Sequence, residues 1–203
     1  MNREDGDVRS VAPATPGRIV DTSKLDLAAA EQATRDLLRA IGADADSPDL
    51  LQTPRRVAAS FAELVTPADF GATVFPNEGY DELVLVRDIS FQTLCMHHLL
   101  PFHGVAHVAY LPGEGIIGLS KLARVVDFFA RDLQLQERMT VQIADWLEQE
   151  LAPRGVGVVL SAEHMCMTIR GVRKPGSRTV TSALRGTLRT DARTRQEFFS
   201  LVG

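Results

Sequence analysis

The order of strand-like and helix-like stretches in the second half of this chain restricts its fold more than any other feature. ELVLVRDISFQTL and GVAHVAYLPG carry the alternation of β-branched and apolar residues that marks strands. GLSKLARVVDFFARDL then changes to helical spacing, with Leu122, Val125, Val126 and Phe129 on one stripe. QERMTVQIADWLEQELAP continues it with Ile143, Trp146, Leu147 and Leu151. GVGVVLSAEHMCMTIRG and, after a KPGS turn, RTVTSALRGTL read as strands again. DARTRQEFFSLV closes the chain as a helix. Strand, strand, helix, helix, strand, strand is the order of an α+β domain: an antiparallel four-stranded sheet backed by two helices.

The first part of the chain reads differently. Residues 1–23 are polar, with Pro13, Pro16 and scattered charges, and predict a disordered arm. DTSKLDLAAAEQATRDLLRAIGAD predicts a helix stopped by Gly42. SPDLLQTPRRVAASFAELVTP predicts a second, with Thr53 as cap and Pro54 in the first position. GATVFPNEGY reads as loop. The expected division is an arm (1–23), a helical segment (24–75) and an α+β domain (76–203). The net charge of −4 gives no overall pull toward nucleic acid or an anionic membrane. No window approaches a spanning helix, and MNREDGDVRSVAPATPGR has no apolar signal-peptide core, so a cytoplasmic protein is expected. Two cysteines in a reducing compartment point to metal binding or reactivity rather than to a disulfide.

The cysteines and three of the five histidines gather at two points. CMHH holds Cys95, His97 and His98; EHMCMTIRG holds His164 and Cys166. Cys-x-x-His is a chelating spacing that converges from a turn. With Cys166 as third ligand, two arrangements remain open. His164 completes a closed structural zinc site, or the zinc has three ligands and an open position. If VGVVLSAEHMCMTIRG is a continuous strand, His164, Cys166 and Arg170 share one face. His164 then stands ~7 Å and Arg170 ~13 Å from Cys166. The plain alternative is two buried cysteines with unrelated histidines.

GLSKLARVV places Ser120 at a helix cap, with Lys121 and Arg124 one turn apart on one side. A helix N-terminus already favours anions, and two cations beside it suit phosphate. The plain alternative is a capped helix with a solvated basic face. A metal at one end and cations ~13 Å away would hold a nucleoside triphosphate lengthwise. Glu137 opens the next helix. Its two carboxylate oxygens match the adjacent N1–H and N2–H2 donors of guanine, whereas adenine offers an acceptor at N1. A first-turn glutamate is also favoured by the helix dipole alone.

Taken together, CMHHLLPFHG, IIGLSKLARVVDFFARDLQLQERMTVQIA, GVGVVLSAEHMCMTIRGVR and TVTSALRG resemble the GTP cyclohydrolase I family. The resemblance runs from about residue 25 to the end and is dense from 91 to 189. It implies zinc held by Cys95, His98 and Cys166, and catalytic roles for His97 and His164. It implies guanine binding by Gln136 and Glu137, and contacts to ribose and triphosphate by Ser120, Lys121, Arg124 and Arg170. Arg56 would add charge from a neighbouring subunit. The implied fold is the tunnelling fold, in which subunits join their sheets into a five-membered barrel and two rings stack as a toroidal homodecamer. Met96 departs from the pattern, which often has glutamate there.

The implied reaction is GTP plus water giving formate and 7,8-dihydroneopterin triphosphate, the first step toward tetrahydrofolate and other pterins. Zinc would lower the pKa of a bound water toward ~7 for attack at C8. His164 would protonate the purine nitrogen, His97 would assist ring opening, and Ser120 would relay protons in the later rearrangement. Two rivals stand beside this reading. One is a zinc-stapled interaction module closed by His164, which would have no use for His97 or the Lys121–Arg124–Arg170 set. The other is a different tunnelling-fold enzyme acting on a pterin or deazapurine.

Overall fold

The computed structural model describes residues 9–11, 17–69 and 71–203. In chain order the elements are β1 (Arg9–Val11), α1 (Leu27–Ala40), α2 (Thr53–Val65), β2 (Ala72–Pro76), β3 (Val84–Cys95), β4 (Pro101–Leu111) and β5 (Gly115–Ile117). There follow α3 (Leu119–Ala130), β6 (Leu133–Gln134), α4 (Gln136–Leu151), β7 (Gly155–His164), α5 (Met165–Thr168), β8 (Thr179–Arg185), α6 (Gly186–Thr190) and α7 (Ala192–Val202).

The α+β expectation holds. β3, β4, β7 and β8 form the antiparallel four-stranded sheet, and two-residue β6 adds to its β3 edge in parallel. Val156, Val158, Leu160 and Ala162 of β7 alternate onto the face covered by α3 and α4. Val159 packs on the opposite face with Leu188 and Phe198. α3 buries Leu122, Val125, Val126, Phe128, Phe129 and Ala130, the expected stripe and its neighbours. It has no side-chain cap: Gly118 is the cap residue and Ser120 lies inside the first turn, not at the cap. A missing cap costs about 1 kcal/mol, whereas each large side chain buried contributes ~1.5–3 kcal/mol, so packing holds this helix. Thr53 likewise is the first helical residue of α2 rather than its cap, a position held by Gln52 without a side-chain bond.

A second sheet was not expected. β2, within the stretch read as loop, pairs with β1 on one side and β5 on the other. Its partners have three residues each, too few to show a period in the sequence. The boundary expected at 75/76 falls inside β2. Of the expected arm, residues 1–8 and 12–16 lie outside the described residues. From residue 17 the chain is fastened down. Arg18 donates to the carbonyls of Val65 and Arg131 at 2.9 Å each. The backbone N–H groups of Ile19 and Val20 donate to the buried Asp132 carboxylate at 2.8 and 2.9 Å.

Two strand expectations run too far. RTVTSALRGTL leaves the sheet at Gly186, which has φ +54 and starts α6. HMCMTIRG leaves it at His164, and Met165–Thr168 coil into one helical turn. The cause is a loss of partners. β7 pairs with β4 as far as Phe102↔His164 and with β8 only as far as Ala162↔Thr179. The Leu100 carbonyl faces β3, where Cys95 N–H donates to it at 2.9 Å. Alternation therefore turns the backbone of Pro101 toward β7, and proline has no N–H to extend the ladder. Cys166 and Arg170 thus do not share a strand face with His164, and the 13 Å spacing lapses.

The approach of β4 to β7 depends on Gly104. A Cβ there would lie 2.0 Å from Ser161 O and 2.7 Å from Ala162 Cα, both backbone atoms that cannot swing aside. Overpacking of this kind costs ~1–3 kcal/mol or more. Gly104→Ala is expected to lower the thermal midpoint clearly, and a variant as stable as the wild type would contradict this packing.

Candidate active site

Cys95 is the last residue of β3, and the chain reverses immediately after it. Its carbonyl accepts from His98 N–H at 3.3 Å and from Leu99 N–H at 2.8 Å, and Leu99 takes φ +56 to complete the turn. This curl carries His98 back over Cys95, with Nδ1 3.9 Å from Sγ. The turn α5 brings Cys166 to the same place. One ligand atom from each of Cys95, His98 and Cys166 lies within 4.8 Å of the others. Two donors on a common zinc, with bonds of ~2.0–2.3 Å, sit ~3.5–3.8 Å apart, so small shifts would let the three close on one ion. The thiol of Cys166 has its pKa pushed up, first by burial and then by Cys95, and Arg170 counters weakly. Two thiols crowded this way gain most from a cation that takes both as thiolates.

His164 is not a member of that group. Its Nε2 lies 2.8 Å from Gln136 Oε1. Its ring stacks on Phe102, its partner across the β4–β7 ladder, with centroids 4.4 Å apart and planes 8° from parallel. Burial lowers its pKa, and Glu137 opposes this as a nearby negative charge. Glu137 is therefore within electrostatic reach of His164, although it is exposed while Gln136 beside it is buried. Gln136, predicted among the guanine-binding groups, has its amide enclosed in the fold: Nε2 donates toward Leu160 O, Thr179 O and Thr181 Oγ1.

Other expected groups are gathered less completely. His97 is exposed, with its ring 6.3 Å from that of His98. Arg170 Nη1 is 3.3 Å from His98 Nε2, beside the cysteine–histidine group. Ser120, Arg124 and Arg56 are exposed and Lys121 half-buried. Among the described residues no hydrogen bond or ion pair joins these four side chains to the cysteine–histidine group. Arg124 instead lines a cleft with Glu63, Asp69, Asp127 and Arg131, between the end of α2 and α3.

A family model described as GTP cyclohydrolase I matches residues 30–203. The chain belongs to the GTP cyclohydrolase I family. It is 53% identical over 177 residues to GTP cyclohydrolase 1 of Thermoanaerobacter pseudethanolicus, covering 85% of this chain and 94% of that one. With GTP cyclohydrolase 1 of Geobacillus kaustophilus it shares 52% over 185 residues, 88% of this chain and 98% of the other. A solved structure, the archaeosine synthase QueF-Like in the apo form, matches 53% of this chain and 96% of its own at TM-score 0.44 and 16% identity.

Sequence reading missed Phe102, although it lies in the same CMHHLLPFHG stretch. The signal was the strand register that sets it opposite His164, and register is not written in any single segment. Thr140 and Thr181, which complete the bonds around Gln136, gave no signal at all.

The geometry separates the two open zinc arrangements by experiment. Cys166→Ala is expected to lose bound metal, and His164→Ala to retain it. Metal analysis of the purified variants checks this. Equal loss in both would make His164 a fourth ligand.

Proposed function

We propose that this chain is a zinc-dependent GTP cyclohydrolase I, which opens the imidazole ring of GTP at C8 and yields formate and 7,8-dihydroneopterin triphosphate. The observation that carries the reading is the convergence of Cys95, His98 and Cys166 beside a histidine that is not spent on the metal group. It does so in a chain about half identical to curated GTP cyclohydrolase 1 proteins over most of its length.

Cys95, His98 and Cys166 would hold the zinc. Bound there, zinc supplies Lewis acidity and a water of lowered pKa. The remaining work falls to side chains. His164 exchanges a proton with the purine nitrogen, because C8 is a poor electrophile until the ring carries one. His97, exposed on the turn, assists the opening of the ring, and Ser120 relays protons in the later rearrangement. Glu137 accepts from guanine N1–H and N2–H2. Lys121, Arg124 and Arg170 neutralise the triphosphate, with Arg56 reaching in from a neighbouring subunit. Met96, where the family often has glutamate, leaves the proton traffic of the turn to the histidines.

Assembly completes the reading. Ser120, Lys121, Arg124 and Arg56 stand apart from the metal group within one chain, and a partner chain would bring an equivalent set to it. Apolar side chains lie open on β2, α3, the α5–β8 segment and β8: Phe75, Leu119, Ile169, Val172 and Val180. Surface of that kind and an uncovered β8 edge favour association. A toroidal homodecamer of tunnelling-fold subunits satisfies both. On this reading the unit 76–203 carries every site group except Arg56, which belongs to the helical segment 24–75. No described helix is long and apolar enough to cross a membrane, which agrees with a cytoplasmic enzyme.

The zinc-loaded protein incubated with GTP is expected to release formate and a product that becomes a fluorescent pterin on oxidation. His164→Ala, at matched zinc occupancy, is expected to bind GTP yet release almost no formate, since general acid–base groups contribute ~10²–10⁴-fold. Formate at the wild-type rate without pterin would move the early proton step to His97.

Glu137→Ala removes the acceptor for two guanine donors. A loss of ~1–3 kcal/mol in GTP binding is expected, measured by titration calorimetry on the zinc-free protein. Unchanged affinity would remove Glu137 from the guanine site.

A further inference from the structure

The amide of Gln136 is 1% exposed and its orientation is dictated by its neighbours. Nε2 lies 2.9 Å from Thr179 O and 3.2 Å from Leu160 O. Both are backbone carbonyls, which only accept, so this end of the side chain is the NH2 group. Thr140 Oγ1 donates to the Gln136 backbone carbonyl at 2.7 Å. Its oxygen can then only accept from Thr181 Oγ1, also 2.7 Å away. That leaves the Thr181 oxygen as an acceptor for Gln136 Nε2 at 3.2 Å. The two protons of Nε2 are thus shared among three acceptors, all on the side of the amide away from His164. The carbonyl end of the amide faces His164 Nε2 at 2.8 Å, and two acceptors cannot share a hydrogen bond.

We infer that Gln136 is a positioning residue that holds His164 as the Nε2–H tautomer and leaves Nδ1 as the nitrogen presented to the substrate. Phe102, stacked flat on the ring, holds its plane, and a half-turn about χ2 within that plane would give up the Gln136 bond. Nδ1 has no hydrogen-bond partner among the described residues. Any proton that His164 accepts or delivers passes through that one atom, while the Nε2–H···Oε1 bond persists. An amide oxygen suits this task because it does not itself ionise at working pH. Gln136 is thereby withdrawn from the guanine-binding group, and Glu137 alone reads the base edge.

The catalytic meaning of this tautomer rests on the acid–base role proposed above for His164; the tautomer itself does not. Full-length protein labelled with 15N-histidine, studied by solid-state NMR at a pH where its imidazoles are neutral, reads the state directly. Subtraction of the His164→Gln spectrum assigns the signals. The wild type is expected to show His164 with a protonated Nε2 and a bare Nδ1. The opposite pattern overturns the inference without recourse to any Gln136 variant.

Gln136→Leu is expected to let the Nδ1–H form appear and to lower the rate of formate release on the order of 10²-fold. Affinity for GTP should stay at the wild-type value. Gln136→Glu, whose protonated carboxyl keeps one acceptor and one donor in place, should restore the Nε2–H signal and much of the rate. Loss of GTP affinity in Gln136→Leu equal to that in Glu137→Ala would overturn the inference and return Gln136 to the guanine site. Formate release by His164→Ala at the wild-type rate, with the Nε2–H tautomer observed, would remove the acid–base role and leave the positioning intact.

Discussion

The ladder between β4 and β7 runs from Leu111↔Gly155 to Phe102↔His164, and its end determines where the chemistry sits. Pro101 has no N–H to carry the pairing one residue further. At that point β7 is free to coil, and the turn α5 lifts Cys166 off the sheet toward Cys95 and His98. Had the ladder continued, successive side chains would have alternated across the sheet, some 3.3 Å apart per residue. A strand can bring one residue to a metal in that way, but not a cysteine to a site at the strand's end while its neighbour two residues back stacks on the sheet. The same terminal pair supplies that stack, since Phe102 meets His164 face to face.

The other half of the centre is held by β6, a strand of only two residues. Leu133 and Gln134 pair with Leu94 and Cys95, and Met96 N–H donates to Gln134 O. What steadies β6 comes from far away in sequence. The buried Asp132 carboxylate gathers the N–H groups of Ile19, Val20 and Leu133. A buried carboxylate is costly unless its oxygens are satisfied, and three backbone donors satisfy it. The segment at 17–20, expected to belong to a loose arm, is thus joined through one side chain to the strand that borders Cys95.

The long elements were legible because each carries its own period. α3 and α4 bury the stripes that their sequences display, and β3, β4, β7 and β8 stand where alternation puts them. The clustering of Cys95, His98 and Cys166 was legible too, because cysteine and histidine are informative as residue types wherever the backbone runs. What failed was geometry inferred from one segment alone. The strand reading of HMCMTIRG respected local alternation, but the limit on its length is set by Pro101, more than sixty positions earlier. β2 failed for a different reason, since its partners β1 and β5 have three residues each, too few to show a period. Ser120 and Thr53 were placed at caps because of their hydroxyls, yet packing decided those helix ends without any side-chain cap.

Adjacent residues on a helix point about 100° apart, and α4 uses that angle to divide labour at its first turn. Gln136 turns in, under the sheet, and Glu137 turns out. The reverse order would hold only while a glutamate at the inner position kept its proton. A glutamate facing the carbonyls of Leu160 and Thr179 would be an ionised acceptor among acceptors, with a desolvation cost of several kcal/mol and no cation to offset it. It would hold a proton or push the helix away. On the proposed role of Glu137, a glutamine at the outer position would offer guanine one acceptor and one donor where two acceptors are needed. Amide inside and carboxylate outside is therefore the arrangement in which the fold is satisfied and the proposed contact to the base edge is possible, with His164 connecting the two. It takes its orientation from the neutral residue and feels the charge of the ionised one.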